Sequence, residues 1–303
     1  MDPIDLIKTG RIKRYFRATK KLNVPELVFH ITQRAAGKEP LFVEESDYLF
    51  MLWLMKEICA SHTLRIYAFC LMPNHTHFLM STTEQNLYDA MRDLFSRYAM
   101  RFNKKYERKG HLFGGPYRQA TCLEDSYLLA ASLYIHLNPV RAGLAEDPLR
   151  YRWSSCRLYC TDRDRQSFVD PGFVLGLLPE ESGRKRRYKV LLEKGKDLIS
   201  GHVLEKQDSI EKLRSKLAAA FPSVFALVAR AKRVAAQTGM DVLSTEEIER
   251  LMSQVRSGAQ PTSPESREAK KFLIEQLIAR GYKRMEIAEQ LGLSRKTVYN
   301  LLK

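Results

Sequence analysis

Through its first half the chain alternates short apolar runs with stretches of helical period. Residues 27–34 form an apolar run rich in β-branched and aromatic side chains, which predicts a strand closed by the breakers Ala36-Gly37-Lys38-Glu39-Pro40. Ser46 is a candidate N-cap, with Asp47 favourable in the first turn, for a helix reaching to about residue 61. Residues 64–72 and 75–81 read as two strands around the turn signal Pro73-Asn74, and so as a hairpin. Over residues 85–106 Leu87, Met91, Leu94, Tyr98 and Phe102 recur on one helical stripe. A loop with Gly110, Gly114, Gly115 and Pro116 leads to a strand over 117–123. A last helix runs from Glu124 to Leu137, with Pro139 placing Asn138 near its end. The order strand, helix, strand, strand, helix, strand, helix predicts an α+β fold, a ferredoxin-like arrangement with a largely antiparallel sheet.

Beyond it the pattern changes. Trp153-Ser154-Ser155 is expected to pack a connecting segment on the first domain, Arg184-Lys185-Arg186-Arg187 is a compact basic cluster, and 204–257 reads as mainly helical. Ser257 to Pro264 is rich in breakers and small polar residues, the composition of an exposed linker. Three short helical segments then run over 267–280, 284–291 and from a Ser294 cap to Leu302, the first two stopped by Gly281 and Gly292. With Ile287, Ala288, Leu291, Leu293 and Val298 inward, the last two form a helix-turn-helix pattern. Arg295, Lys296, Thr297, Tyr299 and Asn300 then face outward, types suited to phosphates and base edges; a small interaction bundle would share the shape. The expected organisation is a basic arm over 1–23, an α+β domain over 24–160, a mainly helical extension over 161–258 and a helix-turn-helix over 266–303.

A formal charge of +15 over 303 residues favours a polyanionic partner, with nucleic acid the default. Arg11, Lys13, Arg14, Arg17, Lys20 and Lys21 make the N-terminal arm basic. Arg97, Arg101, Lys104 and Lys105 flank the 85–106 helix, either as a solvated face or as phosphate contacts. No apolar run is long enough to cross a bilayer, no amphipathic basic helix suggests a membrane surface, and the N-terminus lacks signal-peptide organisation. Five cysteines without paired C-x-x-C units fit reduced thiols, so a cytoplasmic, nucleoid-associated location is expected. Cys156 and Cys160 could begin a zinc site, but no second pair follows.

The candidate chemistry lies in two segments. His75 and His77 stand two apart on a predicted strand and project from one face, close enough to share a metal ion; a pair of half-buried histidines would look the same. Tyr134 and Asn138, four apart on a helix, face together, while His136 points roughly the opposite way. If that helix packs near the hairpin, Asn138 completes a site with His75 and His77. Two imidazoles and an amide oxygen leave positions open for a substrate phosphate on a six-coordinate ion. Mg²⁺ or Mn²⁺ suits such ligation, Mn²⁺ being more at ease with histidine, and zinc also fits a catalytic site. The ion would polarise the scissile phosphate, and the Tyr134 hydroxyl would attack in line, joining the 5′ phosphate and releasing a 3′ hydroxyl. No base for the phenol is evident. Tyr127 lies two turns earlier, far from Asn138, so a single nucleophile is expected. A core aromatic is the plain alternative for Tyr134.

These segments resemble the single-tyrosine HUH transposases of the IS200-like superfamily, especially their REP-associated branch, over residues 24–160. The carriers are Val28-Phe29-His30-Ile31-Thr32-Gln33-Arg34, Met72-Pro73-Asn74-His75-Thr76-His77, Tyr98 to Asn103, Gly110 to Phe113, Tyr134 to Leu144 and Tyr151 to Ser155. The resemblance implies an HUH fold, divalent-metal dependence, and cleavage and rejoining of single-stranded DNA beside a hairpin. It implies that His75 and His77 are the paired histidines, Tyr134 the nucleophile and Asn138 the third ligand. Glutamine is common at this last position in the insertion-sequence branch, whereas asparagine looks like the REP-associated one. Such relatives are often single genes flanked by palindromic repeats. Two departures stand out. Pro116 removes a DNA contact where the family usually has arginine before the aromatic, with Arg118 placed to compensate; Arg141 is a further expected contact. The helix-turn-helix is additional to the minimal nuclease and would read duplex DNA while the nuclease holds a hairpin.

The leading reading is therefore a DNA-strand transferase working through a phosphotyrosine. Its rival is a non-catalytic DNA-binding regulator retaining the same scaffold, and a rolling-circle initiator is disfavoured by the missing second tyrosine. Whether the protein is a monomer or a homodimer is left open by the sequence.

Overall fold

A computed structural model describes residues 25–37, 39–162, 167–180, 183–198, 209–231, 234, 245–257, 264–280 and 282–302. The basic arm, most of the expected linker and Gly281 lie outside the described residues. Contacts divide the chain into two compact units, one over Asn23–Gln237 and the other including Thr238–Lys303.

The first unit opens with β1 (Val28–Arg34), α1 (Glu45–Ser61), β2 (Leu64–Met72), β3 (His75–Thr82), α2 (Leu87–Lys105), β4 (Arg118–Cys122) and α3 (Asp125–Arg141), the order that the apolar pattern predicts. The strands lie in the order β2-β3-β1-β4, every neighbouring pair antiparallel, which is the ferredoxin-like arrangement. The β2–β3 hairpin pairs Met72 with His75 across Pro73-Asn74. The outer edge of β2 is covered by an isolated bridge from Ser154 to Cys70, with Leu71 N–H donating to Trp153 O at 2.9 Å. A sheet edge that would otherwise present unpaired backbone is thus closed by the segment after α3.

Register sorts the two faces. Thr32 stands opposite His77 and Arg34 opposite His75, so His30, Thr32 and Arg34 share a face with His75 and His77. Ile31 and Phe78 point to the other face, where Phe95 of α2 packs against Phe78 at 6.3 Å between ring centroids. The predicted α2 stripe of Leu87, Met91, Leu94, Tyr98 and Phe102 is buried.

At the head of α1 the cap differs from expectation. The helix starts at Glu45 after an N-cap Glu44, and Ser46 lies within the first turn. Asp47 accepts from the backbone N–H groups of Val43 (2.9 Å) and Glu44 (3.1 Å), because its position three residues on aims a carboxylate at the donors a helix start leaves open.

The α3 helix also runs further than Pro139 suggests. A proline in the last turn forfeits one N–H, but its carbonyl still serves. Gly143 adopts φ +68°, its N–H bonds Val140 O, and Leu144 N–H reaches Pro139 O at 2.8 Å, a Schellman stop. From Leu128 to Pro139 every residue of α3 is buried, a pattern of a helix covered on all sides. One side meets β2, β3 and β4; the other meets α6 (Arg184–Leu198), α7 (Ser209–Ala220) and α8 (Pro222–Ala231), which follow the short α4 (Cys156–Cys160) and α5 (Gly172–Leu175). Sheet, α3 and these later helices share one hydrophobic core, so the residues expected to form a separate extension contribute its outer layer up to Val234.

In the other unit α9 (Thr245–Arg256), α10 (Pro264–Ala279), α11 (Arg284–Leu291) and α12 (Arg295–Leu302) enclose a core of their own. Pro264, expected to end the linker, instead starts α10, where its missing N–H costs nothing. Gly292 at φ +63° stops α11, and Ser294 Oγ accepts from Thr297 N–H at 3.0 Å to start α12, giving the expected helix-turn-helix.

Candidate active site

The ends of β1, β3 and β4 meet beneath the C-terminal half of α3. His75 and His77 enter from β3 with ring centroids 4.9 Å apart and planes nearly perpendicular. Tyr134, only 3% exposed, lies edge-on to His77 at 6.0 Å and to His30 at 6.3 Å. The Arg141 guanidinium sits 4.6 Å from the Tyr134 ring centroid and donates to Asn138 Oδ1 at 3.5 Å. The structure therefore brings His75, His77 and Tyr134 into one cluster and joins Asn138 to it through Arg141. The Asn138 Nδ2 is buried without a hydrogen-bond partner. His136 points the other way, as its spacing predicts, into a polar cluster of its own.

Both site histidines are hydrogen-bonded through Nδ1. His75 Nδ1 meets Asn74 Oδ1 at 2.6 Å, and His77 Nδ1 meets His30 Nε2 at 2.9 Å and Thr32 Oγ1 at 3.2 Å. His30 and His77 stack at 5.2 Å. Burial drives all three imidazoles toward the neutral form. His30 falls to about 4; His75 falls to about 3, with Arg34 adding to burial. For His77 burial comes first, and His75, His30, Arg34 and Arg141 push the same way. Neutral imidazole is the form that ligates a metal.

The sequence gives His30, Thr32 and Arg34 no individual role, although a signal is present: they alternate at period two along a strand whose first half is otherwise apolar. Arg34 is pushed down by burial and by Arg118, with Tyr134 acting oppositely. Arg118 is exposed at the start of β4, and Arg34 and Arg141 are half-buried. Gly114 brings the preceding loop against β1, since a Cβ there would stand 3.0 Å from Ala35 O. Three arginines thus rim a neutral histidine cluster, a field suited to an anion.

The other candidate contacts fall elsewhere. Arg97 and Arg101 lie on the α2 side of the sheet, stacked over Trp53 (5.4 Å) and Phe50 (4.2 Å) of α1. Lys104 is exposed. Lys105 bonds Asp47 (2.7 Å), Ser46 (2.7 Å) and Glu44 (2.5 Å), so its charge is engaged within the fold. In the second unit Arg295, Lys296, Thr297, Tyr299 and Asn300 are exposed on α12, with Arg284 lying over Tyr299 at 5.6 Å.

A divalent ion fits part of this donor set. Among the described residues no group of three or more His, Cys, Asp or Glu side chains is arranged to hold a metal. The set offers two fixed, neutral imidazoles and an amide instead, with cations nearby. Such a centre would hold a dication weakly unless a phosphate accompanied it.

The structure thus joins a ferredoxin-like α+β domain to a helix-turn-helix, and each has a counterpart among known families. Residues 23–138 match the family model "Transposase IS200 like", and residues 265–303 match that of a homeodomain-like domain. Over residues 23–138, somewhat more than a third of its length, the chain is similar to the IS200-like transposases. Among solved structures, a REP-associated tyrosine transposase bound to a REP hairpin is 11% identical, covering 52% of this chain and 94% of its own, with a TM-score of 0.42. No curated protein matches the chain. Among the described residues no helix is long and apolar enough to cross a membrane.

Proposed function

We propose that the protein is a metal-dependent DNA strand transferase that cleaves and rejoins single-stranded or hairpin DNA through a covalent tyrosine intermediate. The observation that carries this reading is Tyr134 packed edge-on to His77 and His30 beneath Arg141. His75, His77 and Asn138 would hold Mg²⁺ or Mn²⁺, which supplies Lewis-acid stabilisation of the scissile phosphate when bound. Rotation of the Asn138 amide would put its oxygen where the unpartnered Nδ2 now lies, at the loss of one long contact with Arg141.

The chain's own groups do the rest. Arg34, Arg118 and Arg141 draw the phosphate to the open rim and balance its charge as it becomes pentacoordinate. The Tyr134 oxygen forms a bond to phosphorus at the 5′ side, and the bond from phosphorus to the 3′ oxygen breaks. That oxygen leaves as a 3′ hydroxyl after taking a proton, while the phenol loses its own. Burial keeps the neighbouring His30 and His77 neutral, so in net terms the proton passes from the phenol to the leaving 3′ oxygen. Attack by a 3′ hydroxyl on the phosphotyrosine reverses the chemistry and rejoins a strand. A REP-like palindrome as substrate follows from the sequence resemblance and Asn138. The exposed α12 residues Arg295, Lys296, Thr297, Tyr299 and Asn300 would contact duplex DNA.

Incubation with labelled hairpin DNA and Mn²⁺ should give a denaturant-resistant adduct. Tyr134→Phe should abolish it and leave hairpin affinity within about twofold, because the substitution removes only the nucleophilic oxygen. Duplex binding without adduct on any hairpin from the flanking DNA would instead mark a regulator. Adduct retained by Tyr134→Phe and lost in Tyr127→Phe would move the nucleophile.

A further inference from the structure

On the side of α3 away from the site, one buried imidazole ties three parts of the chain together. His136 Nδ1 lies 2.8 Å from Tyr188 Oη of α6, and His136 Nε2 lies 2.8 Å from Ser155 Oγ. Tyr188 donates to Ser132 Oγ at 3.1 Å, and Ser132 donates to Leu129 O at 2.8 Å. Ser155 Oγ accepts from Phe69 N–H of β2 at 2.9 Å. Every member can be satisfied at once, and Phe69 O at 3.3 Å offers the Ser155 hydroxyl a second acceptor. Neutral His136 donates from Nδ1 to Tyr188 and accepts at Nε2 from Ser155, while Tyr188 passes its proton to Ser132. All four side chains are buried. A fully satisfied polar chain in an apolar core allows one relative placement of the groups it joins.

This placement bears on Tyr134 and Asn138. They lie two residues either side of His136, so turning α3 about its axis to break the relay would swing both out of the site. Van der Waals contact sets the depth. Gly195 of α6 faces Leu137 so closely that a Cβ would stand 2.7 Å from Leu137 Cδ1. At the head of α3, Arg214 of α7 donates to Ser126 Oγ at 3.2 Å and reaches Glu124 at 3.4 Å.

We propose that His136, Ser155 and Tyr188 are positioning residues for strand transfer, setting the rotation of the tyrosine helix. Ser155 and Tyr188 then bear on the chemistry through α3, although the family match ends at Asn138. This rests on Tyr134 as nucleophile, so its test needs one readout that requires chemistry and one that does not.

The informative substitution is His136→Phe in the full chain. It keeps a ring in the core, Tyr188 retains Ser132, and Ser155 retains Phe69 N–H, so no polar group is orphaned. Single-turnover adduct formation on labelled hairpin with Mn²⁺ should fall at least about tenfold, since small misplacement of a reacting group is costly. Hairpin Kd and Tm should stay near the parent's. In parallel, 3-fluorotyrosine placed at position 134 should give one sharp ¹⁹F line in the parent and a broadened or split line in His136→Phe. Tyr188→Phe should act in the same direction. Parent-like rate and ¹⁹F line in both variants would overturn the proposal, as would a rate loss that merely tracks lost affinity or Tm. If the parent itself forms no adduct, the functional reading fails, and the ¹⁹F line still decides whether the relay orients Tyr134.

Discussion

His30 shows what a single residue adds beyond the paired histidines. Its Nε2 lies 2.9 Å from His77 Nδ1 and so fixes the orientation of that ring. Removing the partner that orients a ligating histidine commonly weakens metal affinity by about 10–100-fold. His30→Ala should therefore raise the Mn²⁺ concentration needed for adduct, and Mn²⁺ titration followed by electron paramagnetic resonance should show the weaker binding directly; unchanged Mn²⁺ affinity would remove His30 from the site. The same burial gives the fold a pH dependence. His30 (about 4), His75 (about 3) and His136 (about 3) stay neutral in the folded protein, whereas each takes a proton near pH 6.5 once unfolded. Their contribution is complete above that value and is lost as pH falls through 6.5 toward their folded values, because only the unfolded chain then binds protons. Metal-free protein should lose Tm steadily from pH 7 to pH 4, and His136→Phe should flatten that slope. That His75 and His77 share a face, and that His136 turns away from Tyr134, was legible from spacing. The pairing of His30 with His77 was not, since it joins residues 47 positions apart through strand register.

Helix ends separate what a local pattern can say from what packing decides. The run of elements from β1 to α3 and the α2 stripe were legible, since period and breakers are local properties. The head of α1 was legible only in part, because Ser46 is a good cap by type whereas Asp47 does the work through partners far along the chain. Burial alone would raise the Asp47 carboxyl, but hydrogen bonds from Lys105, Tyr106 and the Glu44 and Val43 N–H groups outweigh it and hold the group below its usual range. Lys105 and Tyr106 end α2, so this cluster ties the start of one helix to the finish of the next. Lys105→Ala removes the cation while Tyr106 and two backbone N–H groups still bond Asp47, so it should cost about 1 kcal/mol in urea unfolding. A change below about 0.5 kcal/mol would return Lys105 to the class of solvated surface charges. The course of α3 past Pro139 was hidden for a similar reason. Residues on both sides bury the helix, and the Schellman stop at Gly143 satisfies the carbonyls that an end at Asn138 would have left open.

Over the whole molecule, the excess positive charge serves two kinds of surface, and salt can tell them apart. Arg34, Arg118 and Arg141 stand at a built site, where the phosphate would meet neutral rings and an amide as well as charge. Arg295 and Lys296 are exposed at the first turn of a short helix, where contact with duplex backbone would be mainly electrostatic. Each phosphate contact made by a cation releases counterions and steepens the fall of affinity with salt. Replacing both Arg295 and Lys296 with alanine should reduce the slope of log K against log salt for duplex DNA by about 2, one for each lost contact. Adduct formation on an isolated hairpin should keep its parent rate, because the residues assigned to that chemistry lie in the Asn23–Gln237 unit. On a hairpin joined to duplex, the double substitution should raise the concentration for half-maximal adduct and leave the maximal rate alone, as expected when a second module supplies only effective concentration. A lowered maximal rate on the isolated hairpin would contradict this division, because it would require the helix-turn-helix to act in the chemical step.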